Sequence, residues 1–264
     1  QDWRTPISGV LTDGSASETG WTNPVLDQGH AVSAQESVAP EVNERGGRGN
    51  VTTYGNAVAP EPSRGGACNY GITGILGFAA INVSVTPGDG QGQWKGGRIC
   101  GQCARVTVAT ERGKRSTVVR IVDQCPDDHC GIDVGGLPAA ALMGTAPGRY
   151  SGVWQFIPCG GTDAVTDGPT ALFVKEGSNA WWALVQVRNP PAAVQGIQWT
   201  AVDGNSAGEF AYATEAENFY AVPEAVRLSD EPIRLTLWFD FGVELHTVLA
   251  GSALAVENAE YPLQ

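Results

Sequence analysis

The sequence is poor in long apolar runs, methionine, histidine and positive charge. No stretch approaches the ~18 consecutive apolar residues of a membrane-spanning helix, so no membrane partner is expected. There is one Met in 264 residues, and no Ala/Leu/Glu/Lys-rich stretch with helical period, so long helices are not expected. Lys and Arg total 16 against 28 Asp and Glu, giving a net charge of −12. Nucleic-acid binding needs cations to displace the counterions of phosphate, and this balance argues against it. A polyanion of the pectin kind would be repelled at range, so a neutral polymer is the better ligand. The three His (His30, His129, His246) are too scattered to cluster by themselves. No secretory leader is visible at Gln1, so the chain reads as mature or as one whose leader has been removed.

Glycine is abundant, at 35 residues, about twice the usual ~7%. Together with Pro it punctuates turns and favours many short strands. The length suits one large domain or two small ones, at roughly 100–200 residues each. Residues 1–46 are polar, with scattered apolars such as Trp3, Trp21 and Val25 and no period. They read as an extension lying on the surface or partly disordered, with the two Trp as candidate anchors. From 47 to 160 the pattern is strand-like, with β-branched segments at 75–85, 104–109, 117–122 and 153–157 separated by glycine clusters. A helix is expected at 137–143, with Pro138 suited to its first turn. This region reads as a closed β-barrel. Residues 161–169 have linker composition. Strand patterns at 171–175, 181–187, 197–202 and 233–239 then suit a β-sandwich over 170–264, with Trp199, Phe210 and Trp238 in its core.

The six Cys all lie between Cys68 and Cys159. An even count in one segment reads as a disulfide-stapled domain in an oxidising, extracellular setting. Zinc is the rival, because Cys100 and Cys103 form a C-x-x-C that Cys125, Cys130 and His129 could complete. Spacing alone leaves all fifteen disulfide pairings open.

Two places carry candidate chemistry. The run VRIVDQCPDDHCGIDV at 119–134 places Asp123 at a strand end and Asp133 between Ile132 and Val134. A partly buried carboxyl there would hold its proton to higher pH and could act as a general acid. Equally, Asp133 could accept backbone hydrogen bonds in a tight turn. The adjacent Trp181 and Trp182 would point to opposite faces of a regular strand, one into the core and one out. If the strand starts irregularly after Gly177-Ser178-Asn179, both can face a ligand, and flat rings are what the C–H faces of sugars stack on.

The stretches NVTTYGNAVAPEPSRGGACNYG at 50–71, ICGQCARV at 99–106 and VVRIVDQCPDDHCGIDVGG at 118–136 resemble the double-psi β-barrel of expansins and barwin proteins. FVKEGSNAWWALVQVRN at 173–189 resembles the carbohydrate-binding C-terminal module of bacterial expansins. The two resemblances together cover roughly 47–260, in the order the family has them. They imply an all-β chain: a double-psi β-barrel followed by an immunoglobulin-like β-sandwich. They also imply a secreted, monomeric protein that binds cellulose or a related neutral wall glucan and loosens the wall without hydrolysis. No cofactor or metal is implied.

By resemblance, Thr52, Tyr54, Asp123 and Asp133 form the barrel site, with Asp133 at the family's acid position. Trp181 and Trp182 form an aromatic platform with Lys175 beside it. The third ring falls on Phe219, with Tyr220 and Tyr212 as alternatives. The implied disulfides are Cys68–Cys100, Cys103–Cys159 and Cys125–Cys130. The family often has Tyr where this chain has Cys125, which removes one expected substrate contact. Inverting glycosidases need a second carboxylate about 6.5–9.5 Å from the acid to activate water. The related hydrolases carry it just after the Thr-Thr motif, where this chain reads Tyr54-Gly55-Asn56-Ala57. Glu61 is the nearest acid in sequence. The alternatives are a weak endoglucanase or lytic transglycosylase using Asp133, or a barwin-like defence protein. The sequons at Asn50 and Asn82 would permit glycosylation in a eukaryotic source.

Overall fold

The structure is a computed structural model describing residues 41–43, 45–55, 61–83, 92–110, 113–143, 148–160, 164–214 and 216–264. Most of the N-terminal extension, including Trp3 and Trp21, and the stretch holding Asn56 lie outside the described residues.

The first seven strands are β1 (Glu41–Asn43), β2 (Gly46–Thr53), β3 (Gly77–Asn82), β4 (Cys103–Thr110), β5 (Gly113–Cys125), β6 (Ile132–Gly135) and β7 (Arg149–Ile157), with α1 (Gly136–Met143) before β7. They form one sheet in the order β1-β2-β6-β3-β5-β4-β7, and β2 also pairs with β7. That last pairing closes six of the strands into a barrel, so only β1 remains as a flap on β2. Closure satisfies the backbone groups that a free sheet edge would leave open. Val51, Ile81, Val106, Ile121, Ile132 and Val134 fill the interior and are fully buried. Alternation along β6 therefore turns Asp133 to the outside of the wall. A Cβ on Gly46, which has φ 147°, would strike the Trp154 carbonyl. Glycine is what lets β2 press against β7.

The second half comprises β8 (Ala171–Val174), β9 (Leu184–Arg188), β10 (Val194–Ala201), β11 (Ala207–Glu209), β12 (Ala211–Tyr212), β13 (Tyr220–Ala221), β14 (Pro232–Phe239), β15 (Glu244–Ala250) and β16 (Glu260–Pro262). Two sheets, β11-β10-β14-β15 and β12-β13-β9-β8-β16, pack as a sandwich. Its core includes Leu172, Val185, Ile197, Ile233, Leu235 and Leu237. Trp199 and Phe210 are buried in it. Trp238 is not: Ile233, Leu235, Leu237 and Phe239 take the inward positions of β14, and the period of two leaves Trp238 on the half-exposed face.

The three disulfides are Cys68–Cys100, Cys103–Cys159 and Cys125–Cys130. With every cysteine paired, no thiolate remains for the zinc alternative. Both sequon asparagines are committed to the fold. Asn50 is buried and donates to the His129 carbonyl at 2.9 Å; Asn82 is fully buried and donates to the Gly131 carbonyl at 3.0 Å. A glycan on either would break a buried bond.

Barrel and sandwich meet through a buried polar seam. The Arg120 guanidinium donates to the carbonyls of Val165 in the connecting segment, of Gly101 in the barrel (2.9 Å) and of Pro190 in the sandwich (2.8 Å). Burial lowers its pKa to about 10. Gln186 and Asn218 both donate to the Cys68 carbonyl, at 3.0 and 2.9 Å, and the Ala193 amide donates to Gln102 Oε1 at 3.0 Å. Groups this buried are costly to leave unpaired.

Candidate functional site

Register places the barrel residues in one row. Thr52 pairs with Asp133 across β2 and β6, Asp133 with Ala80 across β6 and β3, and Ala80 with Asp123 across β3 and β5. Partners on one rung point to the same face, so Thr52, Asp133 and Asp123 share the outer wall. Ala80 between the two acids is buried with Cys125 and Cys130, and Tyr54 packs against them.

Asp133 is largely buried, and one carboxylate oxygen, Oδ1, has no hydrogen-bond partner. Its pKa is pushed up to about 6, first by burial and then by Asp123 and Asp127, with the Thr52 hydroxyl opposing the rise. The site thus holds a carboxyl that carries a proton in mildly acidic solution. Asp123 Oδ1 accepts from the Ala67 amide at 2.8 Å and from the Gln124 amide at 2.9 Å. The Ala67 turn comes this close because Gly66 lacks a side chain; a Cβ there would meet Asp123 Cγ at 2.5 Å. Tyr54 leans edge-on against Phe78, with centroids 5.4 Å apart. Burial, followed by Asp123 and Asp133, raises the pKa of its hydroxyl, so the phenol stays protonated between two acids. Thr52 Oγ1 lies 3.9 Å from Cys130 Sγ, and the Cys125–Cys130 bridge closes the loop that carries Asp127.

Asp127 did not stand out in the sequence. It acts on Asp133 from that loop, accepts from the His129 amide at 2.8 Å and pairs with Arg149 at 3.4 Å. Glu61 sits in an exposed pair with Arg64, at 3.6 Å. Among the described residues no group of three or more His, Cys, Asp or Glu is arranged to hold a metal ion.

On the sandwich, Trp181 and Trp182 precede β9 in a turn closed by mutual backbone bonds between Asn179 and Trp182. Asn179 Oδ1 accepts from the Trp181 amide at 2.8 Å and the Trp182 amide at 3.3 Å. The turn interrupts strand alternation, and both rings emerge: Trp181 is 84% exposed and Trp182 42%. Lys175 Nζ lies 5.7 Å from the Trp182 ring centre.

The expected third exposed ring is not found at Phe219, Tyr220 or Tyr212. Phe219 is 4% exposed because the chain turns at Asn218 (φ 66°) and drives the ring against Leu184 and Ala213. Its centre lies 5.9 Å from Lys175 Nζ. Tyr220 is buried in the core and donates to the Val194 carbonyl at 3.3 Å. The Tyr212 hydroxyl is engaged in the seam, donating to the Gly96 carbonyl at 2.7 Å and accepting from the Asn218 amide at 2.8 Å.

Two residues beyond Ala67, Asn69 donates to the Glu217 carbonyl at 3.1 Å. Asn69 and Glu217 line one recess with Lys175 and Phe219, and Lys175 adjoins Trp182.

A closed barrel with an outward acidic row, joined to a β-sandwich bearing exposed tryptophans, is an expansin-like fold. The apo expansin of Clavibacter michiganensis is similar over 81% of this chain and 94% of that one, with a TM-score of 0.60 at 20% identity. A mutant of that expansin in complex with cellohexaose matches over the same shares, with a TM-score of 0.58 at 18% identity. At such identity the likeness establishes the fold. No protein-family model and no curated protein sequence matches the chain.

Proposed function

We propose that this is a secreted protein that binds a neutral β-glucan of the plant cell wall and loosens the wall without hydrolysing it. The observation that carries the binding half is the irregular turn that exposes Trp181 and Trp182 together beside Lys175. An uncharged ligand suits a chain of net charge −12, and the Clavibacter protein of the same fold has been captured with cellohexaose. The glucan runs from the rings, past Lys175 and Asn69, to the row formed by Thr52, Asp133 and Asp123. There Asp133 donates its proton as a hydrogen bond to a glucan oxygen and competes with the bonds between neighbouring chains.

The domain division proposed is a barrel over 47–160, a linker over 161–169 and a carbohydrate-binding sandwich over 170–264. The expected extension over 1–46 overlaps β1, which pairs with β2 from Glu41 onward. Support for the non-hydrolytic half is that Tyr54-Gly55-Asn56-Ala57 holds no carboxylate; of the carboxylates near Asp133, Asp123 accepts two backbone amides and Asp127 is paired to Arg149. A second reading, a lytic transglycosylase, draws support from the raised pKa of Asp133, since such a reaction can run on one acid. Incubation with cellulose or peptidoglycan, followed by assay for new reducing ends or anhydro-sugars, separates the two. The proposal expects none; products that disappear in Asp133→Asn would establish the second reading.

A further inference from the structure

Arg120 is 2% exposed, yet its charge has no ionic partner. Its Nε donates to the Val165 carbonyl, and its Nη1 to those of Gly101 and Pro190. Among the described residues Nη2 donates to nothing, and no carboxylate pairs with the guanidinium. A guanidinium has five N–H donors, so the two on Nη2 stay unmet. A buried charge is costly unless it is paired and its donors are satisfied, and such an orphan marks the place of an ion or a water.

The same side chain lines a cavity of about 260 Å³ where three segments meet. Cys159 and Gly160 border it from the end of the barrel, Thr166 and Gly168 from the connecting segment, and Asn189 from the sandwich. The space exceeds the ~30 Å³ share of one water several times over. In a chain of net charge −12, the lining holds one charged side chain, Arg120, and no Asp or Glu. Asp167, between two lining residues, is instead engaged with the Gly74 amide, from which its Oδ2 accepts at 2.7 Å. Asn189 offers a second donor: its Oδ1 accepts from the Asp167 amide at 3.3 Å, and its Nδ2 makes only a long bond, 3.4 Å, to the Pro169 carbonyl. One cation balances one negative charge; a dianion would leave its second charge uncompensated at a desolvated site.

We propose that this cavity binds a small monoanion, a halide or a carboxylate, through Arg120 Nη2 and Asn189 Nδ2. None of its lining residues belongs to the tryptophan turn or to the acidic row, so the site stands apart from the proposed glucan path. A bound anion touches all three segments and stabilises the folded chain by mass action.

Ligand-observed NMR tests it, with ionic strength held constant by sodium sulfate. Chloride is followed by its 35Cl line width, and acetate and galacturonate by saturation transfer. Two charge-assisted bonds place the dissociation constant on the order of 1–10 mM. The melting temperature should rise with the logarithm of the bound anion's concentration. Chloride alone identifies a halide site; acetate or galacturonate competing with chloride identifies a carboxylate site. Arg120→Lys keeps the charge but removes Nη2. Gly168→Leu crowds the cavity, since a Cβ there stands 3.5 Å from Asn189 Nδ2, and it decides the matter if the first variant does not fold. Both should weaken binding at least tenfold. Wild-type protein with no saturable binding of any of the three anions overturns the site and leaves Nη2 to water. Undiminished binding in every folded variant, or phosphate bound as tightly as the monoanions, overturns it as well.

Discussion

Trp181→Ala is the cleanest perturbation of the proposed platform. The ring is 84% exposed, so its removal leaves no core cavity, and the turn beneath it is held by Asn179 through the Trp181 backbone amide, which alanine retains. Trp182, at 42% exposure, supports part of the turn and would confound binding with folding. A tryptophan stacked on a sugar face removes about 100 Å² of apolar surface from water, which at about 25 cal/mol per Å² amounts to about 2.5 kcal/mol. That corresponds to roughly 70-fold in affinity. The assay is a depletion isotherm on microcrystalline cellulose, run at low and at high salt, with thermal melting to verify the fold. Stacking on an uncharged polymer should respond little to salt, unlike contacts between exposed charges. An unchanged melting point with affinity within about twofold of wild type would refute the stacking argument.

Other consequences follow from the barrel and the seam. Asp133→Asn should abolish wall extension in a creep assay while cellulose binding survives; wild-type extension should be greatest at acidic pH and fall as pH rises through about 6, where Asp133 loses its proton. The same shift has a stability sign. The folded pKa lies above the ordinary 3.8, so the stability associated with the protonated form is present below about 3.8 and lost as pH rises toward about 6. Asp133→Asn should therefore melt higher than wild type at pH 7, with the gain vanishing near pH 4. Arg120→Ala strands three buried carbonyls and should cost at least about 3 kcal/mol in chemical denaturation. Replacing the Cys103–Cys159 pair by serines should destabilise by about 4 kcal/mol and the Cys125–Cys130 pair by about 2 kcal/mol, because they close loops of 56 and 5 residues.

The parts of the molecule legible in the sequence are those that local pattern controls. Apolar β-branched runs marked β3, β4, β5, β8 and β14, and Gly177-Ser178-Asn179 marked the irregular turn that frees both tryptophans. β15 went unrecognised although Gly242 and Gly251 flank it, because ELHTVLA is half-exposed along its length and shows no apolar run. Trp238 was misplaced although its alternation with Leu237 and Phe239 was there to be read; the apolar composition of the strand masked its period. The Thr52–Asp133–Ala80–Asp123 row depends on which strands neighbour one another in a closed barrel, and chain order does not reveal that. Phe219 is turned inward by one αL residue, Asn218. The polar seam joins residues up to 150 positions apart, so no local signal could have announced it.

The central claim, gripping and loosening without cleavage, is tested most directly by following a heat-inactivated wall strip under constant load with the purified protein. Extension and soluble or wall-bound reducing ends are measured on the same specimen. Extension with no rise in reducing ends, lost in Trp181→Ala and in Asp133→Asn, is the predicted result. Reducing ends that rise in proportion to extension and vanish with Asp133→Asn would contradict it and make Asp133 the acid of a cleaving enzyme.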